Sequence, residues 1–218
     1  MRVFRDNGLT IVLLGLFAVS IVGQWIAGWH VEMEDARRHG QAVLSLGVYS
    51  FSPQFLSSVF ENWESEFLQM AAYVVLTAVL VQRGSAESKD PDAPPRDVDL
   101  DIQGNKPHAP TILNWGSLWR AFYARSLGLT LGFLFILSFL IHWTQSARVA
   151  AQEAVAHGEK PVDAISYLAD SQLWFESFQN WQSEFLSTAV LVLLSIFLRQ
   201  RESPESKGVA APHRQTGQ

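Results

Sequence analysis

The sequence predicts an all-α integral membrane protein: a four-helix bundle of two parallel two-span repeats whose helices extend beyond the outer membrane face. Charge is nearly absent from four stretches and dense between them. Slid on itself by 118 positions, the chain aligns residues 1–89 with 119–207 without a gap. Tryptophans gather at the ends of the apolar runs, where amphipathic rings prefer a membrane boundary.

The first span is "GLTIVLLGLFAVSIVGQWIAGW", Gly8 to Trp29, with no charged residue. A hydrocarbon core of about 30 Å takes about 20 helical residues, so this run is long enough. Its basic start, "MRVFRDNG", also suits a signal peptide. Against cleavage stand the length of the run, its terminal tryptophans and its internal counterpart. Then "HVEMEDARRHG" carries the helix outwards and closes on His39-Gly40, a glycine cap with histidine at the negative helix end. The chain returns through "QAVLSLGVYSFSP".

The second apolar run, Phe67–Val81, is shorter. Counting back about 20 residues from Val81 puts the opposite face near Asn62 and Glu66 about 6 Å inside it. The span is complete only if the motif "NWESEFL" enters the bilayer. Residues 90–111, "DPDAPPRDVDLDIQGNKPHAP" and its flanks, are rich in Pro and Asp and cannot bury enough surface to offset their ordering entropy. They are expected to form a flexible cytoplasmic linker between the first repeat (1–89) and the second unit (112–207). That unit opens with "ILNWGSLWRAFYARS", read as a short interfacial helix with Leu118, Trp119, Phe122 and Tyr123 on one face. The third span follows as "SLGLTLGFLFILSFLIHW", Ser126 to Trp143; its extension "TQSARVAAQEAVAHG" again ends in His-Gly. The fourth, Phe185–Leu198, is headed by "NWQSEFL", and residues 208–218 are expected to be a disordered tail.

Lys and Arg set the orientation. Arg2, Arg5, Arg83, Lys89, Arg120, Arg125, Arg199, Arg201 and Lys207 fall on one side, which places both termini and the linker in the cytoplasm. Trp25, Trp29, Trp63, Trp143, Trp174 and Trp181 then lie near the outer boundary, Trp115 and Trp119 near the inner one.

On a helix, Asn62, Glu66, Gln69, Tyr73 and Thr77 share a face, and so do Asn180, Glu184, Ser187, Leu191 and Ser195. Both second helices should turn a polar stripe inwards, headed by a glutamate. Glu66 and Glu184 need donors, and Asn62, Asn180, Ser65, Ser183, Gln24 and His142 lie at similar depth. Two readings follow: a polar seam that pins the helices together, or a carboxylate pair that exchanges protons or holds a cation. The seam reading outranks the other, since a stripe at a membrane edge is weak evidence of transport. Gly128 and Gly132, like Ser183 and Ser187, have the small-residue spacing of close helix approach. After each second helix comes "QR-x-S-x-ESK". Helix-end charge explains its arginine but not Arg83, Glu87, Ser88 and Lys89 recurring as Arg201, Glu205, Ser206 and Lys207. A docking site for a partner or for lipid headgroups is the expectation there.

The chain has no cysteine, so it has no disulfide and no thiolate site. Its formal net charge of -5 over 218 residues argues against nucleic acid as a partner. No zinc-protease, nucleophile-elbow, phosphate-loop or dinucleotide motif is present, no helix pairs two histidines four apart, and no cofactor or metal is expected. At "NGLTIVLLGLF", "VGQWIAGW", "FENWESEFLQ" and "QRGSAESKDP" the chain resembles an uncharacterised family of bacterial four-span membrane proteins, a domain of unknown function. The resemblance covers all but the linker and tail and implies the bacterial inner membrane. The expected function is therefore a non-enzymatic assembly or interaction protein, with the bilayer and a protein partner or a second copy as partners. The alternative is a small channel or a proton- or cation-coupled transporter working through Glu66 and Glu184.

Overall fold

A computed structural model describes residues 2–40, 42–94 and 106–217. Among them are seven α-helices, one 3-10 turn and no strand. The helices are α1 (Arg2–Arg38), α2 (Leu46–Tyr49), α3 (Pro53–Val79), α4 (Ser117–Tyr123), α5 (Ser126–Ala156), α6 (Ala164–Tyr167) and α7 (Ser171–Phe197), and the 3-10 turn is Thr111–Asn114. Residues 95–105, the centre of the expected linker, lie outside the described residues.

Helix α2 and helix α6, α3 and α7, and the ends of α1 and α5 all stand 118 positions apart. Local chemistry keeps the same register. Ser45 caps α2 by accepting from the Val48 amide, and Asp163 does so for α6 through the Ile165 and Ser166 amides. Asn7 makes a non-helical kink in α1, and the break between α4 and α5 falls at Ala124 and Arg125. Each of these residues folds back four positions: Asn7 Nδ2 donates to the Val3 carbonyl at 3.2 Å, Arg125 Nη1 to the Ala121 carbonyl at 3.1 Å. Helices α1 and α5 close as their His-Gly pairs predict. Gly40 and Gly158 take left-handed backbone (φ 66° and 75°), and His39 and His157 reach the carbonyls of Asp35 and Glu153.

Helices α1 and α5 are long and apolar enough to cross a membrane. Their apolar residues point outwards: Leu13, Leu14, Leu16 and Phe17 of α1 are exposed, as are Leu127, Phe133 and Ile136 of α5. Helices α3 and α7 have 27 residues each, about 40 Å of helix. The shorter apolar runs are thus the second halves of long helices that start before the Asn-Trp motifs. Helix α4 carries the expected aromatic face, with Leu118, Trp119, Phe122 and Tyr123 exposed and the Trp119 ring edge to edge with those of Trp115 and Phe122.

The chain divides into two compact units. The first comprises Met1–Val59 and Ile141–Tyr167. Here Trp29 Nε1 donates to the Leu44 carbonyl at 2.8 Å, and Trp143 Nε1 to the Ala164 carbonyl at 2.7 Å, tying each long helix to its returning loop. Tyr49 and Tyr167 are both buried. Gly28 must lack a side chain, because a Cβ there would stand 2.4 Å from the Tyr49 hydroxyl. Its counterpart Ser146 instead shares a buried 2.6 Å hydrogen bond with Ser57.

The second unit comprises Phe60–Leu140 and Leu168–Gln218. Phe135 and Phe139 of α5 meet Trp174, Phe178 and Trp181 of α7 in one aromatic cluster, with ring centroids 5.4–6.5 Å apart. Gly128 lets α5 approach α3 closely, since a Cβ there would lie 3.3 Å from Val75. Residues 208–217, expected to be a disordered tail, form turns that bond back to the chain: the Gly217 amide donates to the Ser85 carbonyl at 2.9 Å.

Candidate functional site

Two polar constellations stand out, both in the second unit. The first joins the two copies of the Asn-Trp motif. Asn180 Nδ2 donates to Glu61 Oε1, Trp181 Nε1 donates to Glu64 Oε1 at 2.8 Å, and Gln69 Nε2 donates to Thr188 Oγ1. These partners are 119, 117 and 119 positions apart, so residues of α3 meet the near-equivalent residues of α7. Glu64 has no exposed surface. A carboxylate without water depends on such donors, and hydrogen bonds to a charged acceptor are the stronger kind.

The residues expected in this seam are placed unevenly. Asn180 is a direct partner. Ser65 is buried and donates to the Asn62 carbonyl at 2.8 Å; Ser183 is exposed and donates to the Asn180 carbonyl at 2.8 Å. Asn62 and Glu66 are exposed and Glu184 is half-buried, although the two glutamates act on each other electrostatically. Gln24 and His142 belong to the first unit, where Gln24 Nε2 donates to Ser58 Oγ at 3.2 Å and His142 is fully buried.

Sequence reasoning missed Glu61 and Glu64. It favoured the acids that recur, Glu66 and Glu184, whereas Glu61 and Glu64 have Gln179 and Gln182 as counterparts. That difference was the available signal. Where near-equivalent residues face each other, two carboxylates would repel, so an acid in one copy calls for a neutral donor in the other.

The second constellation is built by the repeated Gln-Arg-x-Ser-x-Glu-Ser-Lys segments. Ser88 Oγ accepts from the Gln82 amide at 3.0 Å and Ser206 Oγ accepts from the Gln200 amide at 2.9 Å, so each segment closes on itself as a hairpin. Lys207 is buried, and its Nζ donates to the carbonyls of Gly84, Pro212, His213 and Gln215. Burial, with Arg199 nearby, pushes its pKa below the usual lysine value. Its counterpart Lys89 is exposed and bonds only the Ala78 carbonyl among the described residues. Ser85 and Ser195 share a buried 2.8 Å bond that ties the first hairpin to α7. Tyr73 donates to Glu87 Oε2 at 2.8 Å. Burial first, and then the nearby carboxyl of Glu205, raise the Glu87 pKa against the opposing effect of Tyr73. Glu87 and Glu205 are the same residue of the two segments.

Of the residues expected to dock a partner, Ser88, Ser206 and Lys207 are thus engaged within the chain. Arg83 and Arg201 are exposed and form surface ion pairs, Arg83 with Asp92 at 2.8 Å and Arg201 with Glu202 at 3.5 Å.

This all-helical chain, with two helices able to cross a membrane, belongs to the family described as Domain of unknown function (DUF6766), which matches residues 1–218. No curated protein and no solved structure matches it.

Proposed function

We propose that the protein is a non-enzymatic, four-span membrane protein, a duplicated two-span hairpin whose polar seam serves assembly. In this reading α1, α3, α5 and α7 all cross the bilayer of the bacterial inner membrane, with both termini cytoplasmic. The observation that carries it is the buried contact of Glu64 with Trp181. Together with the bonds of Asn180 to Glu61 and Gln69 to Thr188, it turns the polar groups of α3 towards those of α7. Polar groups engaged in this way hold helices together in a medium that offers no competing water. The shared 118-residue offset of the helix ends supports the duplication, and the excess of Lys and Arg on one side supports the orientation.

A second reading, transport of protons or cations through Glu66 and Glu184, is favoured by the electrostatic contact between those two carboxylates. The double variant Glu66→Gln/Glu184→Gln separates the two. Under the assembly reading it inserts normally, and neither it nor the parent carries proton or cation flux above that of empty liposomes. Flux in the parent that disappears in a well-folded double variant would replace assembly by transport.

A further inference from the structure

Resting on the assembly reading, we infer that the open side of α7 is a docking surface for a second copy of this chain, joined head to tail through the far side of its α3. The contact inside one chain has a direction. It sets the acceptors Glu61 and Glu64 of α3 against the donors Asn180 and Trp181 of α7. Each helical position turns the side chain by about 100°, so Asn62 and Trp63 centre on the side of α3 opposite Glu61 and Glu64. By the same rule Gln179 and Gln182, the counterparts of Glu61 and Glu64, centre on the side of α7 opposite Asn180 and Trp181. Each copy of the motif therefore has a donor side and an acceptor side, and the pair within the chain joins one of each. The donor side of α3 and the acceptor side of α7 face away from that contact and complement each other.

The acceptor side of α7 is bare. A groove of about 820 Å³ runs along it, lined by Phe175, Phe178, Gln179, Trp181, Gln182 and Phe185, and all of these but Trp181 are exposed. On α3 the corresponding Phe60, Glu61, Glu64 and Phe67 are half-buried or buried. The same face is thus covered in the first repeat and open in the second. Lipid tails would cover the phenylalanines but offer no partner to two amides. The face that does is the one on α3, where Asn62 is exposed and Trp63 half-buried. Partners within the chain stand 119 and 117 positions apart, so α3 and α7 run parallel with their motifs level. Two copies in one bilayer then bring Asn62 of one and Gln179 of the next to the same depth. Glutamine in place of glutamate suits a contact between chains, because it accepts from an amide or an indole without taking a carboxylate out of water. Surfaces that differ on the two partners join head to tail, not about a twofold axis.

The test co-expresses two differently tagged full-length chains, one with Asn62→Cys and one with Gln179→Cys, in a protein that has no cysteine of its own. Oxidation in the native membrane should link the two variants to each other, and neither should link to itself. Self-linkage of Gln179→Cys would mean a twofold contact of α7 with α7, and no linkage at all would leave the groove to lipid; either overturns the proposal. Energy transfer between labelled chains diluted in phosphatidylcholine liposomes reads association without a disulfide. Gln179→Arg should weaken it at least tenfold with an unchanged thermal midpoint, since Gln179 is exposed. Adding Asn62→Asp to the same chain should restore association to within threefold of the parent. A parent that does not associate, a Gln179→Arg variant that associates like the parent or melts earlier, or a failure of Asn62→Asp to rescue it would each overturn the surface. Liposome flux through Glu66 and Glu184 is read separately. A parent that carries no flux yet stays monomeric would therefore remove this docking surface and leave the seam within the chain standing.

Discussion

Glu64 is one helical position from Ser65 and two from Glu66, yet it is fully buried while Glu66 is exposed. On a helix each position turns the side chain by about 100°, so choosing the wrong acid rotates the whole face. Recurrence in both copies pointed to Glu66 and Glu184, and this criterion selects residues that tolerate their own counterpart nearby. It passes over acids that need a different residue opposite them. Trp181→Phe keeps the ring in its aromatic cluster and removes only the indole donor to Glu64. We expect it to cost about 1–3 kcal/mol, the usual penalty for depriving a buried polar group of a partner. Thermal unfolding in detergent reads this directly, and an unchanged midpoint would mean that the Trp181 bond adds nothing to the seam.

The two Glu-Ser-Lys hairpins show how identical strings acquire different roles. Both serines close their own hairpin on a glutamine amide, a local effect that follows from the string alone. Lys89 and Lys207 then part ways, since Lys207 is followed by a segment, residues 208–217, that folds back over the other hairpin. Gly84 fits beneath that segment because a Cβ there would come within 2.7 Å of the His213 carbonyl. Replacing Lys207 with Met removes four charge-assisted contacts and should free residues 208–217. Trypsin cleavage after Arg214 is expected to accelerate at least tenfold in Lys207→Met and to stay unchanged in Lys89→Met. Equal rates in the two variants would show that the carbonyl cage does not hold the tail.

The chain contains no cysteine, so single introduced thiols report topology without background. In the proposed orientation Val43→Cys and Val162→Cys lie outside, and a membrane-impermeant maleimide should label them on intact cells. His108→Cys and Val209→Cys should react only after permeabilisation. Labelling of all four positions from one side would refute the four-span topology, whereas a reversal of the two pairs would refute only the orientation. Much of the helical structure was legible beforehand because it depends on composition over long windows. The presence of the long helices, the His-Gly ends, the exposed aromatic face of α4 and the 118-residue register all follow from propensity, capping and hydropathy.

Sequence alone determined that the chain is helical, where α1 and α5 end, and which strings recur. Those properties are local, since each depends on neighbours within a few turns. Only the tertiary structure decided which way each helix is turned and what each polar side chain meets. It chose Glu61 and Glu64 over Glu66 for the contacts between the motifs, set the Tyr73 hydroxyl on Glu87, and gave Lys207 a cage of four carbonyls. Helix rotation and long-range pairing are set by packing between segments more than 100 residues apart, as in the 117-residue separation of Glu64 and Trp181. No local pattern encodes that.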